Sequence, residues 1–213
     1  MAENNSATVY VPQGAADGYA FWGAVGAPMP TVAGGAIGTA LTSLGFISSD
    51  GLTNKNDIST DSETDLNGTL IATLFTSRIE SYAFSLEQTD IDSLKLSFGE
   101  GNVVSNAATK TITIKHSNDV LGKHSFLFRF VLSKSGNTTV IGDLIVPIGQ
   151  LSALDDITFS AGSTLKYPVT VNALPYDGSA TSYWLITTIT TTGADKPEVT
   201  PKVTKAMVDK ASK

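Results

Sequence analysis

Ser125-Phe126-Leu127-Phe128-Arg129-Phe130-Val131-Leu132 is the most regular stretch of this chain. Phe126, Phe128, Phe130 and Leu132 fall on one side of an extended backbone, and Ser125, Leu127, Arg129 and Val131 on the other. Strand side chains point alternately to two faces, so this pattern predicts a strand with one deeply buried face. Downstream, Ser135-Gly136-Asn137 is a turn signal, and the segment from Thr138 to Pro147 returns as the second arm of a hairpin.

Further strands are predicted on both sides. Residues 165–174 and 183–191 read as strands joined by a link at 175–179. Pro147 and Pro168 are expected at strand ends or edges, because neither can donate to a ladder. Upstream, Ile112 and Ile114 alternate with threonines, and Leu94, Leu96 and Phe98 alternate with Lys95 and Ser97 as a further strand. Residues 87–93 allow one short helix at most. The longest strand signal covers residues 69–86, where Tyr82, Phe84 and Leu86 share a face. Residues 39–47 read as a strand stopped by Ser48-Ser49-Asp50-Gly51, and residues 8–11 as a short strand ending at Pro12.

Composition agrees with an all-β fold. Thr supplies 27 of the 213 residues, and β-branched side chains suit pleated, half-buried surfaces. Hydrophobic content is 41% and charged content 16%, which is a composition with a core rather than a disordered one. A single domain of this length can bury roughly 70% of its unfolded surface.

Two segments lack strand patterning. From residue 12 to 38, Gly, Ala and Pro supply 17 of 27 positions, which predicts an extended N-terminal arm. Its aromatics, Tyr19, Phe21 and Trp22, are the expected arm contacts, buried on the chain's own core or on a neighbour's, with own core the first choice. Residues 53–68 carry Asp57, Asp61, Glu63 and Asp65 against the single Lys55 and have no periodicity. They are predicted to be a long acidic inter-strand loop, mobile alone and ordered on assembly. The organisation expected is a strand and arm over 1–38, a β-sandwich over 39–192 and a polar C-terminal tail over 193–213.

Charge is distributed unevenly. Net charge is −6 at pH 7, which argues against wrapping nucleic acid. Residues 1–105 hold 12 acids and 3 bases, whereas residues 106–213 hold 8 acids and 11 bases. Two explanations stand: simple solvation, or oppositely charged surfaces of successive subunits meeting head to tail.

Little suggests chemistry. The absence of Cys excludes disulfides, thiolate nucleophiles and Cys-bound metals. His116 and His124 have no second ligand at metal-site spacing, and no Gly-x-Ser-x-Gly elbow or phosphate-binding glycine motif is present. Asp61-x-Glu63-x-Asp65 resembles the start of a calcium loop, but Leu66 and Ala72 stand where such a loop needs Gly and Glu. No catalytic, cofactor or metal site is assigned. The start of the sequence has no secretory signal pattern, no apolar run is long enough to span a membrane, and no membrane partner is expected.

The order of several short pieces resembles the major tail tube protein of long, flexible-tailed bacteriophages. Gly45-Phe46-Ile47-Ser48-Ser49-Asp50-Gly51, then Phe84-Ser85-Leu86-Glu87, then Leu94-Lys95-Leu96-Ser97-Phe98-Gly99 are similar to segments of that family in sequence. Leu144-Ile145-Val146-Pro147 and Tyr167-Pro168-Val169-Thr170-Val171 continue the series. The immunoglobulin-like C-terminal module of some members has no counterpart, and the long Gly/Ala-rich arm is unusual. The resemblance implies a β-sandwich or partly open barrel with one short helix, whose inner sheet joins copies into a six-subunit ring. Stacked rings would form a tube in the virion tail, assembled in the host cytoplasm around the tape-measure protein. Tail tip and tail terminator proteins would complete it, and viral DNA would pass through the lumen without specific binding.

On this resemblance Lys55, Asp57, Asp61, Glu63 and Asp65 would lie at the contact between rings, and Thr73, Ser77, Glu80 and Ser81 would line the lumen. The rival readings are a monomeric immunoglobulin-like decoration or cell-surface module, and a β-sandwich hydrolase or lectin. The last lacks the clustered His, Trp and carboxylates it would need.

Overall fold

The computed structural model describes residues 9–16, 18–118 and 120–190, together with the backbone of residues 198–199. The C-terminal tail expected over 193–213 otherwise lies outside the described residues. Among the described residues there are twelve strands, one α-helix and a single 3-10 turn at Glu100–Asn102. In order these are β1 (Gln13–Gly14), β2 (Ala20–Ala24), β3 (Leu41–Ser43), β4 (Thr53–Thr64), β5 (Leu70–Leu86), α1 (Ile91–Phe98), β6 (Val103–Asn106) and β7 (Thr111–Ile114). Then come β8 (Lys123–Ser135), β9 (Thr138–Leu154), β10 (Tyr167–Ala173), β11 (Tyr183–Thr190) and β12 (Glu198–Val199).

The fold is all-β, and its large sheet is not closed into a barrel. Neighbours run in the order β3-β2-β8-β9-β10-β5-β4, with β1 added to β8 and β11 to β9. All these pairs are antiparallel. β9 is the hinge of the layers. Its first half pairs with β11 from Thr138 to Ile145, and its second half pairs with β10 from Gly149 onward. Pro147 therefore sits inside a strand, not at its end, at the point where β9 changes partners and where the β8 ladder is also bulged. The Ser125 hydroxyl donates to the Pro147 carbonyl at 2.7 Å. A bulge is one of the few places a sheet interior accepts proline.

The sheet turns over its own aromatic seam. Tyr82, Phe84 and Leu86 of β5 and Val169 and Val171 of β10 meet Phe126 and Phe128 of β8 and Leu144 and Val146 of β9 in one core. Phe84 meets Phe128 edge to face at 5.2 Å. The β8 pattern is buried on both sides, not one: Leu127 and Ile145 form a second cluster with Phe21 and Leu41 on the opposite face. Residues that look like the arm cover that face. Ala20, Phe21 and Trp22 belong to β2, a strand of the sheet, and Met29 and Ile37 pack behind them.

Three further expectations change. The first strand follows Pro12, and residues 9–11 are irregular. The segment containing Leu94, Leu96 and Phe98 is helix α1, with the Asp90 carboxylate accepting from the Ser93 amide at 2.8 Å as its N-cap. Leu94 and Leu96 are buried, and the Ser93 hydroxyl donates to the Leu44 carbonyl at 3.0 Å. Finally, residues 53–64 are not a loop. They form β4, a 12-residue strand exposed along its whole length and zipped to β5.

Candidate assembly surface

The β4–β5 pair is anchored at one end only. β10 pairs with β5 from Glu80 to Leu86 and no further. Beyond Glu80 the two strands continue as a ribbon with no third strand, closed by a turn in which the Asp65 carboxylate accepts from the amides of Asn67 and Thr69 at 2.9 and 2.7 Å. Those hydrogen bonds, that of Thr69 first, hold the Asp65 carboxyl below the usual aspartate range.

Register decides which side chains share a face. Glu80, Tyr82, Phe84 and Leu86 point to the core side. Pairing across β4 places Asn54, Asn56 and Ile58 on that same side, and Lys55, Asp57, Asp61 and Glu63 on the other. A bulge between the Ser59–Ser77 and Thr60–Phe75 pairs absorbs Thr76 and reverses the alternation. Ser77 and Ser81 thus share the outer face, while Thr73 falls on the core side with Glu80. Period two alone sets Glu80 on the face opposite Ser77 and Ser81, whereas the extra residue, which no spacing rule in the sequence reveals, is what moves Thr73 away from them.

Glu80 is buried rather than exposed at a polar face, with only 6% of its surface accessible. Its carboxylate accepts from Asn54 Nδ2 at 3.0 Å, Tyr82 OH at 2.7 Å and Ser182 Oγ at 2.9 Å, and from the Thr181 hydroxyl. Burial opposes the charged form, but these hydrogen bonds outweigh it and the carboxyl stays below its usual value. The network continues outward along the core side of the ribbon: Asn56 Nδ2 donates to Asn54 Oδ1 at 2.6 Å, and Arg78 donates to Asn56 Oδ1 at 2.6 and 2.9 Å. It is a polar ladder that fixes the angle at which the ribbon leaves the body.

The ribbon is wet on both faces and shows apolar side chains to solvent. Ile58, Leu66, Leu70, Ile71, Leu74, Phe75 and Ile79 are each more than half exposed. A two-stranded ribbon is marginal in water, and such contiguous apolar exposure marks an interaction surface.

The arm aromatics lie elsewhere. Phe21 and Trp22 are buried in the chain's own two cores, and the Tyr19 hydroxyl accepts from the Ile47 amide at 2.7 Å. Sequence reading passed over the group that holds this segment down. Arg129 and Asp143, neighbours across β8 and β9, form a buried ion pair. Asp143 Oδ2 accepts from the Gly34 amide at 3.2 Å, and Arg129 Nη2 donates to the Gly35 carbonyl at 2.8 Å. An arginine in the polar half of an alternating strand was the available signal.

The two histidines are held by aromatic contacts. His124 meets Trp22 at a tilt, ring centres 4.5 Å apart, and burial pushes its imidazole below the usual range. His116 meets Phe98 edge-on at 5.2 Å. Among the described residues no three of His, Asp and Glu cluster as metal ligands. The sequence model of the phage tail tube protein family matches residues 1–196. This chain belongs to the phage tail tube protein family. A tail tube protein is a structural component of the virion tail, and that role agrees with a fold whose most conspicuous surface is an uncovered β-ribbon. No curated protein matches this tail tube chain.

Proposed function

We propose that this tail tube protein forms closed rings, six subunits each, that stack into the conduit for viral DNA. The observation that carries the reading is the ribbon β4–β5, an all-exposed edge strand backed by uncovered apolar side chains. The large sheet ends at β4 on one side and at the three-residue β3 on the other. Unpaired edges seek partners, and ring closure removes them. Lys55, Asp57, Asp61, Glu63 and Asp65, now placed on a ribbon, are the residues that meet the adjoining ring.

The outer face of β5 and β10 is the better candidate for the lumen. Across it Ser81 lies opposite Asn172, Ala83 opposite Thr170 and Ser85 opposite Pro168. β5 and β10 contribute small, uncharged side chains there, and Lys55, opposite Ser81 at the edge of this face, is paired with Asp57 at 2.8 Å, so phosphates find little to bind and DNA slides. Ser77 and Ser81 stay in this assignment, and Thr73 and Glu80 leave it. The tube assembles around the tape-measure protein in the host cytoplasm and is finished by tip and terminator proteins.

Negative-stain electron microscopy of the concentrated protein tests the reading. Tubes or stacked rings with a central hole are expected. Monomers that also stay inert when mixed with tail tip and tape measure would overturn it.

A further inference from the structure

Two small β elements sit at opposite ends of β5. The ribbon turn lies beside Leu70, where β5 begins, and α1 follows Leu86, where it ends. A strand of 17 residues spans about 55 Å. Helix α1 packs against β6 and β7, so that separate two-stranded sheet belongs to the far end.

The ribbon and the β6–β7 hairpin carry opposite charge, although acids of α1 and of the turn after it, Glu100 among them, stand just before the hairpin. Between residues 56 and 77 stand Asp57, Asp61, Glu63 and Asp65 with no base, and between residues 101 and 118 stand Lys110 and Lys115 with no acid. Both lysines are exposed. The ion pairs found among the described residues involve neither of them, and neither Asp61 nor Glu63. Each element also shows apolar side chains to water, Phe75 on the ribbon and Val104 and Ile112 on the β6–β7 hairpin.

We propose that the acidic β4–β5 ribbon of one copy seats on the basic β6–β7 hairpin of the next. The inference rests on the stacked-ring reading and names the surface that receives the ribbon. A contact between two different patches that are set at opposite ends of a long strand can repeat along an axis without closing, which is the symmetry a stack needs. Opposite charge steers the encounter and sets the register, and covering the apolar side chains holds it.

Carbodiimide coupling, which joins a carboxylate and an amine in direct contact, reads this out in concentrated protein. A covalent ladder is expected, with peptides containing Asp61 or Glu63 joined to those containing Lys110 or Lys115. The separation along β5 excludes such links within one copy. Lys110→Glu with Lys115→Glu should cut the ladder by about tenfold, since the reacting amines are gone and like charges then face each other. Adding Asp61→Lys with Glu63→Lys should restore it, and circular dichroism should show the same fold throughout. A ladder indifferent to the reversal, links mapping elsewhere or no links at all overturns the pairing. Tubes seen by microscopy without these links would leave the tube reading standing and remove this one. Links without tubes would do the opposite.

Discussion

Arg129 on β8 and Asp143 on β9 face each other across the ladder and close a two-point ion pair, Nε to Oδ1 at 2.9 Å and Nη2 to Oδ2 at 2.8 Å. Both side chains are almost fully buried, at 3% and 0% exposure. The pair also holds the backbone of Gly34 and Gly35, so a glycine-rich segment is fixed by charge in addition to the packing of Met29 and Ile37. Gly34 is required there. Its φ is +78°, and a Cβ would come within 2.9 Å of Ile141.

Removing one partner leaves the other charged and unpaired in the core. Arg129→Ala or Asp143→Ala should each cost about 3–5 kcal/mol. Replacing both together, as Arg129→Met with Asp143→Leu, should cost much less than the two single changes combined. Urea denaturation of the four proteins checks this. Additive losses would show that the pair does not act as a unit.

Gly149 lies where β9 passes closest to the aromatic seam. A Cβ there would stand 2.8 Å from Phe126 and 2.8 Å from Val171. Gly149→Ala should therefore destabilise by about 1–3 kcal/mol through overpacking. Gly101→Ala, at a position with nothing within 4 Å, should change stability by less than about 0.5 kcal/mol. Calorimetric melting of both variants decides the matter.

Glu80 makes stability depend on pH in a defined direction. Its folded value lies below the usual glutamate value of 4.5, so its carboxylate stabilises the fold above that pH. The contribution fades as pH falls through the folded value. The stability gap between the wild-type protein and Glu80→Gln should be widest and flat above about pH 4.5 and should narrow on acidification. Denaturant titrations from neutral to acid pH measure it. A gap that widens in acid would reverse the assignment.

The ribbon's apolar side chains should matter to assembly and not to the subunit. Phe75→Ser with Ile71→Ser replaces exposed groups and should leave monomer stability within about 0.5 kcal/mol. Tube yield, by pelleting and microscopy, should fall sharply. Unchanged yield would place the inter-subunit contact elsewhere.

Half-buried strands were legible in the sequence. β10 and the inner half of β5 alternate because one face of each is dry, β8 shows its phenylalanines at period two although both its faces are covered, and Asp50-Gly51 and Ser135-Gly136-Asn137 mark the turns between strands. Helix α1 was misread because Leu94, Leu96 and Phe98 over so few residues satisfy period two as easily as a helical stripe. Its decisive signals are at its ends, the Asp90 cap and the stop at Gly99. β4 was invisible for the opposite reason: both its faces meet water, so no hydrophobic period exists to be read.

The sequence alone determined an all-β chain with an aromatic seam and an acidic segment, because these follow from composition and from local alternation. Only the tertiary structure decided that the acidic segment is a strand, that the glycine-rich arm covers its own sheet, and that Glu80 is enclosed. Those depend on register and on contacts between distant residues, such as Arg129 reaching Gly35 and Thr181 reaching Glu80. A local pattern records which faces are dry, but it cannot record which strand lies alongside.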